Sequence, residues 1–98
     1  DVTAVLAKDR TTGDIKEYPV AGVFVQIGLT PNSQIFEGEV AMNAHKEIET
    51  DSFCRTSVKG VYAAGDVTDV PYKQIVIAMG EGAKAALTAV DDRMRGNI

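Results

Sequence analysis

The sequence predicts an α/β fold: a β-hairpin and a buried strand, followed by a strand, a loop and a long C-terminal helix. Three observations carry this. Val2–Lys8 and Ile15–Val20 are short β-prone runs on either side of Arg10-Thr11-Thr12-Gly13-Asp14. Gly22–Gly28 and Val58–Asp66 are nearly continuous apolar runs with the length of strands covered on both faces. Gln74–Arg95 carries apolar or small residues at helical spacing, with charges late in the run.

In chain order, the first pair of runs reads as a hairpin whose second strand is short or at an edge, because Pro19 cannot donate a ladder hydrogen bond. The Gly22–Gly28 strand ends at the breaker cluster Thr30-Pro31-Asn32. Ser33–Asp51 is polar and irregular and reads as a connection, with Ile48 and its neighbours offering at most a short strand before Cys54. The Val58–Asp66 strand ends in glycine and a carboxylate, and Thr68-Asp69-Val70-Pro71 supplies helix-start residues. Gly96 stands where a C-terminal cap belongs, and Arg93 and Arg95 complement the negative end of the helix dipole. Gly80 and Gly82 each cost about 1 kcal/mol in a helix relative to alanine, so a packing reason is expected for them. Ala78, Gly82, Ala85, Ala86 and Ala89 form a small-residue stripe suited to close packing.

The chain has 98 residues, 45% of them hydrophobic, enough for one small core or for parts of two larger ones. Its opening at Asp1 on an apolar strand pattern suggests a fragment. A net charge of −4 works against phosphate-backbone binding, so nucleic acid is not an expected partner. No apolar run reaches membrane-spanning length, and neither a leader pattern nor a lipidation motif is visible. No membrane association is expected, and a cytoplasmic location is. Cys54 is the single cysteine and His45 the single histidine. No internal disulfide or cysteine zinc site can form; His45 reads as solvated, Cys54 as a partly buried small side chain, and no metal site is expected.

The chemistry concentrates at the junction after the second apolar run. Gly65 lets backbone approach a bulky ligand, and Asp66 puts a short acceptor at a strand tip, where it suits a sugar-alcohol hydroxyl. The helix start at Lys73-Gln74-Ile75 presents unpaired N–H groups and a partial positive charge that favour a negatively charged ligand. Read from residues alone, the same strand, Gly-Asp, loop and helix also describes a plain βα junction whose Asp caps the helix.

Val61-Tyr62-Ala63-Ala64-Gly65-Asp66, preceded by Thr56 and Gly60, resembles the second FAD motif of the two-dinucleotide-domain flavoproteins. Tyr72-Lys73-Gln74-Ile75 with Ala78-Met79-Gly80-Glu81-Gly82 is similar to the thioredoxin reductase-like branch of the FAD-dependent pyridine-nucleotide disulfide reductases, nearest the flavoprotein component of alkyl hydroperoxide reductase. Gly22–Asn32 resembles the last strand of that family's NAD(P)H domain. The resemblance covers nearly the whole chain but about the final third of a family member.

It implies residues 1–32 as the end of an NAD(P)H-binding domain and 33–98 as the C-terminal part of an FAD-binding domain, with FAD and NAD(P)H as cofactors. The cofactor-binding residues implied are Thr56, Gly60, Val61, Gly65, Asp66, Val67, Lys73, Gln74 and Ile75. Asp66 would meet the ribityl and pyrophosphate region, with Gly65 and Val67 lining that approach. Lys73, Gln74 and Ile75 would meet the pyrimidine edge of the isoalloxazine. The implied partners are the missing N-terminal part of the same protein, a thioredoxin- or peroxiredoxin-type redox protein, and a second copy in a homodimer.

Three family features are absent: the Gly-x-Gly-x-x-Gly pyrophosphate loop, its NAD(P)H counterpart and a Cys-x-x-Cys pair. No catalytic residue is assigned, and the 98 residues alone are expected to bind FAD weakly or not at all. Two other readings share the sequence. One is a dithiol-free flavoenzyme, such as a thioredoxin reductase-like ferredoxin reductase or an NADH oxidase. The other is a non-catalytic assembly module.

Overall fold

In a computed structural model that describes residues 1–98, the hairpin forms as the antiparallel pair β1 (Ala4–Lys8) and β2 (Ile15–Pro19). The register sets Val5 opposite Tyr18 and Leu6 opposite Glu17. Asp9 organises the turn: its carboxylate accepts from Thr11 N–H at 2.7 Å and from Thr12 N–H at 3.1 Å, and Gly13 follows at φ +79°. Pro19 ends β2, where its missing donor breaks no ladder bond.

The helix α1 (Ile75–Met94) matches the expected span. At ~1.5 Å rise per residue it is about 30 Å long. Its end is a Schellman motif: Gly96, at φ +73°, donates to Arg93 O at 3.2 Å, and Asn97 N–H donates to Asp92 O at 2.8 Å.

The two apolar runs read as buried strands are not strands here. Residues 21–30 are irregular and exposed, Phe24 at 103% and Ile27 at 94%. Val58–Asp66 contributes a single antiparallel bridge, Arg55 with Tyr62, and then a 3₁₀ turn at Gly65–Val67. A strand covered on both faces needs neighbouring strands and flanking layers, and the hairpin is the only sheet in the chain. Fully burying a large apolar side chain stabilises by about 1.5–3 kcal/mol, so each of these residues has much to gain from a covering surface.

The connection 33–64 is held by specific bonds. Ser33 Oγ donates to Lys46 O at 2.5 Å. Ile48 bridges Met42 on one side and Thr68 on the other, donating to Val67 O at 2.9 Å and accepting from Asp69 N–H at 3.0 Å. The fully enclosed side chains are Thr68, Cys54 and Ser33, and the extents are 62 × 26 × 21 Å, so the chain is elongated around a thin core. No helix is long and apolar enough to cross a membrane, and no group of metal-ligating side chains gathers.

Candidate functional site

The Gly65–Val67 turn sits against the first turn of α1. Gly65 is buried at φ +82°, and a Cβ there would lie 3.3 Å from the Ala78 Cβ. The missing side chain therefore serves the approach of the helix. Thr68 closes the turn, its Oγ1 donating to Gly65 O at 2.8 Å, while Asp69 accepts from Thr50 N–H and Oγ1 at 3.1 Å each. Thr68 and Asp69, two of the residues expected to start the helix, are thus engaged elsewhere. Gln74 takes the N-cap position without a side-chain cap bond.

That leaves the helix N-terminus open. The first intrahelical bond runs from Ala78 N–H to Gln74 O at 3.0 Å, and the amides of Ile75, Val76 and Ile77 have no backbone partner. Unpaired amides at the positive end of a 20-residue helix favour a negatively charged or acceptor-rich ligand.

Beside this terminus lies a cleft of about 260 Å³ lined by Leu29, Pro31, His45, Glu47, Asp66 and Lys73. Asp66 is exposed and supplies acceptor oxygens. Lys73 reaches Glu47 Oε2 at 2.5 Å and also donates to Thr68 O. Asn43 Nδ2 donates to the other Glu47 oxygen at 2.8 Å, and Glu47 N–H returns to Asn43 Oδ1 at 3.0 Å. The Lys73 ammonium, then Asn43, holds the Glu47 carboxyl below the usual carboxylate range. Open amides, a free carboxylate and a nearby ammonium fit the acceptor-rich pyrimidine edge and hydroxylated chain of a flavin.

The remaining expected residues lie elsewhere. Thr56 folds its own loop: its hydroxyl donates to Val61 O at 2.9 Å and accepts from Val58 N–H at 3.1 Å. Gly60, at φ +82°, makes the loop's tight return. Thr56, Gly60 and Val61 border a second cleft with Tyr62, Asp92 and Ile98, and Thr56 and Val61 also meet Val67 at an apolar cleft with Phe36, Ile48 and Ala64. Gln74 and Ile75 adjoin the first cleft through Lys73, with their side chains exposed.

Sequence reasoning missed two groupings. Glu47 belongs, with His45, to a stretch that reads as solvated, and nothing local in that stretch marks a partner as distant as Lys73. The other is a clamp on α1. Arg55 Nε and Nη2 donate to the two Asp92 oxygens at 2.7 Å each, and Tyr62 OH donates at 2.8 Å. Arg55, then Tyr62, holds the Asp92 carboxyl far below its ordinary range, and Asp92 in turn raises the Arg55 guanidinium. Cys54 is fully enclosed at φ +65°, its thiol donating to Glu81 Oε2 at 3.0 Å. Burial, then Glu81, pushes that thiol up to about 11.

Residues 1–86 match the family described as pyridine nucleotide-disulphide oxidoreductase, and the chain belongs to it. Among individual relatives, it is 57% identical over 94 residues to the F subunit of alkyl hydroperoxide reductase in Xanthomonas campestris pv. phaseoli, a match covering 96% of the chain and 18% of that protein. It is 50% identical over 94 residues to a protein named NADH dehydrogenase from Bacillus subtilis (strain 168), again covering 96% of the chain and 18% of the relative. The structure of T. acidophilum thioredoxin reductase superposes with a TM-score of 0.75 at 45% identity, over 94% of this chain and 31% of that one. The chain thus spans less than a fifth of the length of these curated relatives.

Proposed function

We propose that these residues form one wall of the flavin site in an NAD(P)H-dependent FAD disulfide reductase. Residues 1–32 would close its NAD(P)H-binding domain and 33–98 would complete its FAD-binding domain. The observation that carries this reading is the uncapped N-terminus of α1, with free amides at Ile75, Val76 and Ile77, beside the cleft of Asp66 and Lys73. Similarity to the F subunit of alkyl hydroperoxide reductase and to thioredoxin reductase supports the same assignment.

Bound FAD would supply two-electron transfer from NAD(P)H to a disulfide. The chain's own residues bind and orient. Asp66 accepts from ribityl hydroxyls, and the three amides with the helix dipole meet the pyrimidine edge. Gly65 keeps the turn close enough to the helix for both to act on one ligand. Thr56, Gly60 and Val61 contribute by shaping the loop that leads into the turn, Val67 backs the turn from the apolar cleft, and Gln74 and Ile75 line its approach.

Electrons would pass to a thioredoxin- or peroxiredoxin-type partner through a dithiol outside these residues, since Cys54 is enclosed and alone. A cytoplasmic homodimer is the assembly this reading carries. Similarity to proteins named NADH dehydrogenase favours a second reading, a flavoenzyme that needs no dithiol.

Absorbance spectra of the full-length protein test the proposal. Bound flavin is expected, with Asp66→Ala losing it on dilution at least tenfold more readily. A colourless full-length protein that takes up no added FAD would refute the reading.

A further inference from the structure

Lys73 is held at the mouth of the α1 N-terminus by two acceptors, Glu47 Oε2 and Thr68 O. The Lys73 and Glu47 side chains are each only 19% exposed, and Asn43 fixes Glu47 through its other carboxylate oxygen at 2.8 Å. The pair is therefore a built arrangement in which the carboxylate fixes where the ammonium sits. The other ionisable side chains lining this cleft are His45 and Asp66.

We propose that Glu47 is a positioning residue for Lys73, fixing the place of its ammonium and thereby setting the reduction potential of the flavin. This rests on the flavin-site reading above. Two-electron reduction with uptake of one proton adds one negative charge to the ring, so any cation freed near the helix N-terminus stabilises the reduced form. Glu47 sets how much of that help Lys73 gives. Its partner Asn43, which also receives the Glu47 N–H, holds the carboxylate in place beside Lys73.

The test is the flavin midpoint potential of the full-length protein, read by absorbance against reference dyes, for the unsubstituted protein and for Glu47→Gln, Glu47→Asp and Lys73→Gln. Glu47→Gln keeps the size and the Asn43 contact and removes the charge. It is expected to raise the reduced-to-oxidised ratio at fixed potential about tenfold, which is about 30 mV for a two-electron couple. Glu47→Asp retains charge and is expected to recover most of the original potential. In a Lys73→Gln background the effect of Glu47→Gln is expected to shrink, because the two residues act as a unit.

An unchanged potential in Glu47→Gln with flavin retained overturns this inference and leaves the flavin-site reading intact. An undiminished shift in the Lys73→Gln background overturns it as well, since Glu47 would then act directly. A full-length protein with no flavin overturns both.

Discussion

Alkylation of Cys54 is the sharpest test of how tightly the segment 51–63 closes on α1. The thiol is 0% exposed, donates to Glu81 and is pushed from an ordinary 9.0 up to about 11. Only the thiolate reacts. Near pH 8, a thiol at about 11 is about one part in a thousand ionised, against about one part in ten at 9.0, so ionisation alone slows labelling about 100-fold. Enclosure slows it further. The same shift has a stability consequence: the folded state holds the proton more tightly, so this contribution is full below 9.0 and is lost as pH rises through about 11. Iodoacetamide labelling of the full-length protein, resolved to the Cys54 peptide by mass spectrometry, measures the folded rate against the denatured one. Folded labelling within a few-fold of the denatured rate at about pH 8 would refute both the burial and the raised thiol.

Other perturbations follow from named contacts. Gly65→Ala places a side chain at φ +82° and 3.3 Å from the Ala78 Cβ. The left-handed backbone alone costs about 1–2 kcal/mol, so a lower melting temperature and looser flavin are expected. Asp92→Asn keeps the shape but loses the charge that Arg55 and Tyr62 grip, so the urea midpoint should fall at neutral pH. The Asp92 carboxyl sits far below its usual 3.8, so its contribution is present above that value and lost as pH falls beneath it. Urea midpoints across this acid range should show that loss in the unsubstituted protein and not in the variant. Gly80→Ala adds a Cβ with nothing within 4 Å in this chain, and a gain of about 1 kcal/mol in helix stability is expected by denaturant titration.

The hairpin and the long helix were legible because their signals are local. Gly13 and Asp9 make the turn out of neighbouring residues, and Gly96 closes a Schellman motif within the last turn of α1. The small-residue stripe was partly legible: Ala78 does meet Gly65, whereas Gly80 and Gly82 crowd nothing in this chain, contrary to the packing reason expected for them. Gly22–Gly28 and Val58–Asp66 read as strands because apolar continuity reports a demand for cover, and pairing partners are a separate matter. Thr56 and Gly60 were marked by a family pattern, and in this chain the Thr56 hydroxyl bond and the left-handed Gly60 fold a loop. Glu47 with Lys73, and Arg55 with Asp92, pair across long stretches of chain, where neither spacing nor periodicity carries a signal.

The bare segment Val23–Leu29 has a practical consequence. Val-Phe-Val-Gln-Ile-Gly-Leu contains no charge and no proline, and its large side chains lie open. Such a run has the character of an amyloid-forming hexapeptide, able to stack edge to edge with copies of itself once nothing shields it. Recombinant versions truncated to this region are expected to precipitate on concentration, and a lysine in place of Val25 or Ile27 is the gatekeeper change that would keep them dispersed.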